Sequence, residues 1–230
     1  MGRHVIGGNP PIEVTLRRST RARRLSLRVS RLDGRVTLTL PHRVSEREGI
    51  AFVREREDWL RGHLSGITKE TRPQIGGTVP FGGEDLAIVA GPVKRARMGE
   101  AALIVPDDPA RVSARVEAYM KLHARDRLAD ASDRYAAVLG RSYGRITLRD
   151  TRSRWGSCSS AGDLMYSWRL IMAPPEVLDY VAAHEVAHLV EMNHSDAFWT
   201  VVGDIFPDHK RCRRWLRENG DRLHRVRFRD

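Results

Sequence analysis

The side chains best equipped for chemistry fall in one stretch, Tyr180–Trp199, YVAAHEVAHLVEMNHSDAFW. His184 and His188 are four residues apart. On a helix they share one face, so two imidazoles can aim at a single point. Glu185 lies beside them and can reach a water held at that point rather than the point itself. His194 follows His188 by six residues and offers a third nitrogen if the chain turns back after the helix. Three protein ligands, one position left for water and a carboxylate as general base is the arrangement by which Zn²⁺ promotes hydrolysis. The expected reaction is attack by an activated water on a polarised carbonyl. Glu185 would take the proton and return it to the leaving amine, with Arg154 assisting at the oxyanion.

These residues need a scaffold. Leu178, Ala182, Val186 and Leu189 form an apolar stripe beside the histidine face, which predicts a helix packed on a core. Pro175, with Glu176 and Asp179 behind it, suits the start of that helix. Asn193 is expected in the left-handed conformation, ending the helix and swinging His194 back. Ser195 is expected to cap a short helix carrying Phe198, Trp199, Val201 and Val202. Pro207-Asp208 opens a last helix that should end near Asn219-Gly220, with Cys212, Trp215 and Leu216 facing inward. Two helices behind His194 would fix its orientation.

Upstream, Arg145–Asp150 alternates Ile146 and Leu148, and Asp163–Met172 reads as another strand. A sheet edge above a metal-binding helix can pair with an extended substrate through main-chain hydrogen bonds. Residues 145–150 or 154–158 could supply that edge. Two other groups compete as ligands. Cys158 offers a thiolate, set against the role of a small buried residue after a Gly turn. Glu191 lies one turn beyond His188 on nearly the same face, although the turn after the helix favours His194. Val112–Leu139 has helical periodicity and ends at Gly140. It carries His123, which reads as a core or boundary residue.

The first part of the chain is β-rich. Ile12, Val14 and Leu16, then Leu25, Leu27 and Val29, then Val36, Leu38 and Leu40 alternate as strands. Asp33-Gly34 predicts a hairpin between the last two. Ser45-x-x-Glu48 is a capping box opening one amphipathic helix to about Leu64. Turn residues then alternate with short strands at 86–90, 94–98 and 102–105. Pro106-Asp107-Asp108-Pro109 is the expected boundary, giving a β-rich region with one helix (1–106) and a catalytic domain (107–230). His42, His63 and His209 have no partner at ligand spacing and read as surface residues.

Composition narrows the rest. The chain has 230 residues and only two cysteines, Cys158 and Cys212, too few for a disulfide framework. No apolar run approaches a membrane span, and the N-terminus has no apolar signal region, so the expected home is the cytoplasm. The net charge of +11 comes almost wholly from arginine spread along the chain. That pattern suits a solvated basic surface more than a dedicated groove, and no aromatic interleaving of the base-stacking kind accompanies it. A nucleic-acid or nucleotide partner nevertheless stays open.

Arg154-Trp155-Gly156-Ser157-Cys158, Trp168-Arg169-Leu170 with Ala173-Pro174-Pro175, the histidine helix, and Asn193-His194-Ser195-x-x-Phe198-Trp199 together resemble the YgjP-like family of metal-dependent hydrolases. That family is similar to the wider zincin group, near the SprT-like and WLM peptidases. The resemblance is dense over Arg145–Trp215. It implies an α+β, zincin-like catalytic domain, a small sheet packed on the HExxH helix, preceded by a β-rich region. It also implies Zn²⁺ on His184, His188 and His194, Glu185 as base, and a protein or peptide substrate. Arg154 and Trp155, placed before the helix, suit contact with substrate or transition state. Metzincins share the histidine spacing but have Gly where this chain has Glu191, so their loop is not assumed here. Two alternatives differ in kind. One is a metal-dependent hydrolase of a phosphoanhydride or nucleotide, whose phosphates the arginines would bind. The other is a basic nucleic-acid-binding module with a structural metal, in which Glu185 would have no task.

Overall fold

Alternation of apolar and polar side chains decides the first sheet. The computed structural model describes residues 2–30, 34–65 and 70–229, which divide into two compact units, Met1–Glu70 and Thr71–Asp230. In the first unit, β1 (Gly2–Ile6), β2 (Ile12–Ser19), β3 (Ser26–Val29) and β4 (Val36–Pro41) form a sheet of order β1-β2-β4-β3. β2 and β4 run parallel with Val14 opposite Val36 and Leu16 opposite Leu38, so their buried residues line one face. β3 pairs antiparallel with β4 as a hairpin requires. Gly34 takes a φ of +70° there, while Asp33 lies outside the described residues. β1 had no sequence signal because Ile6 alone among its residues is buried.

The capping box forms as expected: Ser45 Oγ accepts from the Glu48 amide at 3.2 Å, and Glu48 Oε2 accepts from the Ser45 amide at 2.8 Å. The single helix expected after it is two, α1 (Glu46–Arg54) and α2 (Glu57–Ser65). A tight turn breaks it where the Arg56 amide bonds back to the Val53 carbonyl, three residues away. Val53 and Leu60 pack into the core under the sheet.

The second unit begins with β5 (Thr78–Phe81), β6 (Glu84–Gly91), β7 (Arg97–Met98) and β8 (Ala102–Pro106), in order β5-β6-β8-β7. It continues through α3 (Val112–Val138), β9 (Ile146–Arg149), β10 (Gly156–Cys158) and β11 (Leu164–Ser167) to α4 (Pro175–Ala187), α5 (Asp196–Ile205) and α6 (His209–Leu223). The division at 106/107 suggested by the sequence falls inside this unit. Leu103 and Val105 of β8 share one core with Val112 and Val116 of α3, so Pro106–Pro109 is a bend over a continuous interior. α3 ends as expected at Gly140, whose φ is +60°. The Arg141 amide reaches the Ala136 carbonyl and the Gly140 amide the Ala137 carbonyl.

The small sheet has the order β10-β11-β9, β11 parallel to β9 and antiparallel to β10. The strand expected through Met172 stops at Ser167, and Trp168–Met172 forms a 3₁₀ turn with all five residues buried. Burial on every side removes the alternation a strand would need. Within that turn the Arg169 guanidinium, 7% exposed, makes a two-pronged pair with Asp150 at 2.6 and 3.0 Å. It also donates to the carbonyls of Leu223 and Val226, tying the end of β9 to the end of α6. No described helix is long and apolar enough to cross a membrane.

Candidate metal centre and catalytic cleft

α4 is buried nearly all round, with Val177, Leu178, Val181, Ala182 and Val186 in the core. That burial fixes the rotation of the helix and therefore the direction of His184, Glu185 and His188. His188 is its C-cap, and its Nδ1 lies 3.0 Å from the Glu191 carbonyl oxygen. A carbonyl only accepts, so Nδ1 carries the proton and the Nε2 lone pair is left to face the cluster. Glu191, the alternative third ligand, thus acts through its backbone as an orienting group.

The return of His194 differs from the expectation. Among the described residues none other than glycine has a positive φ, so Asn193 is not left-handed. The chain leaves α4 through short-range turns instead, with the Leu189 and Val190 amides bonded to the carbonyls of Val186 and Ala187. Successive tight turns reverse direction without a left-handed residue. His194 then stands with its Nε2 3.0 Å from that of His184. Ligand nitrogens of His184, His188 and His194 all lie within 4.8 Å of one another, a group able to hold a metal ion; Cys158 and Glu191 are not in it.

One side chain stands behind all three rings. Phe198, fully buried on α5, stacks on His188 with centroids 4.4 Å apart. It meets His184 at 4.9 Å and His194 at 4.7 Å, edge to face. Ser195 caps α5 through the Phe198 amide, as the sequence predicts. This packing matters most for His184, whose buried Nδ1 has no hydrogen-bond partner among the described residues. Its ring is held by packing against Phe198, Trp199 and Tyr180 and by the approach of His194 Nε2 to its own Nε2. Burial, with the other two imidazoles nearby, pushes its pKa down to about 3. His188 is shifted in the same direction, mainly by burial. Both rings are therefore neutral at ordinary pH, the state a metal ligand requires.

Glu185 is 5% exposed and lies against the backbone of β10 at Gly156. Burial pushes its pKa up to about 8, opposed by the charge of Arg154. A cation at the imidazoles would act in the same direction as Arg154 and favour the carboxylate. Of the two candidate sheet edges, both are outer strands, but it is β10 that touches the glutamate.

A cleft of about 380 Å³ opens beside His184 and Glu185. Arg154 and Trp155 both line it. The Trp155 ring also stacks on His224 at 4.9 Å and presses on Gly220, where a Cβ would come within 2.8 Å. That contact explains why Gly220 sits inside α6, which runs on to Leu223 rather than ending there. Sequence reasoning passed over Phe198 as a ring support and Tyr180, Arg213 and Arg217 as cleft residues. A helical spacing after the third histidine was the available signal for Phe198; the arginines come from a helix with no motif of its own. His42 and His63 are exposed as expected, whereas His209 is half-buried, stacked on Trp199 at 5.6 Å. His123 is half-buried against Tyr119.

Residues 23–219 match the family model described as a YgjP-like metallopeptidase domain. The chain belongs to the YgjP-like family. It is accordingly a metal-dependent peptidase domain of α+β, zincin-like fold, and the family implies a divalent metal and a protein or peptide substrate. The nucleic-acid-binding alternative gains no support from this YgjP-like assignment. No curated protein matches the sequence. Among solved structures, the metallopeptidase zymogen of Pyrococcus abyssi abylysin is similar over 40% of this chain and 93% of its own, at 22% identity and a TM-score of 0.36.

Proposed function

We propose that the chain is a zinc-dependent metallopeptidase in which His184, His188 and His194 hold the ion and Glu185 is the general base. The observation that carries this reading is the convergence of three imidazole nitrogens within 4.8 Å beside a buried carboxylate. The donor set fits: three imidazole nitrogens, with no fourth side chain in the group among the described residues to close the coordination shell. When bound, the ion supplies Lewis acidity, polarising the scissile carbonyl and making water more acidic.

The chain's residues do the rest. Glu185 accepts a proton from the attacking water and delivers it to the leaving amine; burial disfavours its charged form, and the positive charge of Arg154 and of a cation at the imidazoles favours the carboxylate that accepts first. Arg154, in the lining of the cleft, supplies positive charge for the developing oxyanion. β10, an outer strand against Glu185, pairs with the extended substrate and sets its carbonyl across the site.

The test is hydrolysis of casein and of nucleoside triphosphates by purified protein, with and without a chelator, beside Glu185→Gln and His188→Ala. The expected result is chelator-sensitive proteolysis, abolished in both variants, with zinc lost in His188→Ala and retained in Glu185→Gln. Full activity in Glu185→Gln with metal bound would exclude this mechanism.

A further inference from the structure

We infer that the cleft beside His184 and Glu185 is a carboxylate-binding subsite. It would take an acidic side chain, or the free C-terminal carboxylate, of a peptide whose scissile bond lies at the histidines. The inference rests on the peptidase reading and adds to it the substrate class.

Three arginines line this one space: Arg154 from the turn before β10, and Arg213 and Arg217 one helical turn apart on α6. Glu185 supplies the single carboxylate in its lining, and it is buried. The floor is apolar, made by Trp155, Val181 and Leu216. Neither Arg154 nor Arg213 lies within ion-pair distance of a carboxylate among the described residues. Arg213 rests instead over the Trp199 ring, 4.8 Å from its centroid. Arg217 meets Glu218 at 3.8 Å, with side chains 76% and 56% exposed, a contact too wet to neutralise it. Arginine thus outnumbers carboxylate in the cleft by three to one, and none of the three arginines is held in a buried ion pair.

Size and chemistry agree. About 380 Å³ accommodates a glutamate side chain or a chain terminus. Arginine forks match a carboxylate in two-pronged geometry, whereas a lysine side chain would be repelled. The cleft on the His188 side has a different character. It is about 440 Å³, lined by serines, small residues and the apolar side chains of Leu189, Val190 and Met192, with Arg141 its single fixed charge. The preference should thus be confined to one side of the scissile bond.

The experiment uses zinc-loaded Glu185→Gln protein, so that binding is read without turnover. Fluorescent peptides of one neutral sequence carry Glu, Gln or Lys at each position in turn with an amidated C-terminus; a further neutral peptide has a free carboxylate. The Glu peptide or the free-carboxylate peptide should bind about 10-fold tighter than its Gln or amide counterpart, which tells the two carboxylate sources apart. Adding Arg217→Glu should remove that preference, while Arg125→Glu, the same charge change on the exposed face of α3, should keep it. Equal binding of all peptides, or equal loss in both charge variants, would overturn the subsite. Cleavage of the same peptides by wild-type protein is scored separately: binding preference without any cleavage would sink the peptidase chemistry and leave the subsite standing.

Discussion

Gly156 of β10 and Glu185 of α4 are packed so closely that a Cβ on Gly156 would lie 2.5 Å from both Cγ and Oε1 of the glutamate. Glycine is required here by the neighbour, since its φ is not in the left-handed region. Gly156→Ala should push the carboxyl aside and lower kcat/KM about 100-fold, as a displacement near 1 Å does for a positioned catalytic group. Metal content, measured by elemental analysis, should not change. A variant as active as wild type would show that Glu185 does not need this seat.

Phe198 supports three rings at once, so its loss should be felt at the metal before it is felt in turnover. Phe198→Ala should weaken zinc affinity about 10- to 100-fold in a chelator competition, the usual cost of losing a group that orients ligands. It should also reduce stability by about 3–5 kcal/mol, as large-to-small changes in a core do. Phe198→Leu keeps most of the volume and should bind zinc between the two. Unchanged affinity in Phe198→Ala would mean the imidazoles are fixed by other contacts.

The Arg169 lock predicts a different phenotype. Arg169→Met leaves Asp150 without its partner and frees the carbonyls of Leu223 and Val226, so stability in urea should fall by about 3 kcal/mol. Asp150 is half-exposed and can turn to water, which keeps the loss at the lower end for a broken buried pair. Zinc affinity per folded molecule should be little altered, because none of the three histidines touches this network.

His224 makes stability depend on pH. Burial, and then the charge of Arg169, lower its pKa to about 4, with Asp150 acting the other way. An unfolded chain protonates this ring near pH 6.5 and the folded one resists until about pH 4. Its contribution is therefore intact above pH 6.5 and is lost as pH falls from 6.5 toward 4. His224→Phe keeps the stacking on Trp155 and removes the titration. Thermal unfolding at pH 7 and pH 5 should show wild type losing about 1–2 kcal/mol more than the variant between those values. Parallel losses would place the acid sensitivity elsewhere.

Much of the site was readable before any coordinates. Spacing of four between His184 and His188, with Glu185 beside them, needs nothing beyond helical geometry and an apolar stripe to orient the helix. Ser45 with Glu48, Gly140 after α3, and Ser195 before α5 are local signals, each satisfied by a hydrogen bond within a few residues. Signals of that range survive folding unchanged.

Other features were decided at long range. Asn193 offered a left-handed turn, and the chain reversed without it because short-range amide bonds after α4 sufficed. Gly220 reads as a helix end in isolation; the Trp155 ring against it makes it an interior position. Pro106–Pro109 has the composition of a linker, yet Leu103, Val105, Val112 and Val116 close one core around it. The arginines look evenly scattered in sequence, and only packing brings Arg154, Arg213 and Arg217 to one cleft. The sequence by itself determined which groups can carry the chemistry, because residue type and helical period are local properties. The tertiary structure alone decided what surrounds them, because burial, ring contacts and convergent charge depend on segments far apart along the chain.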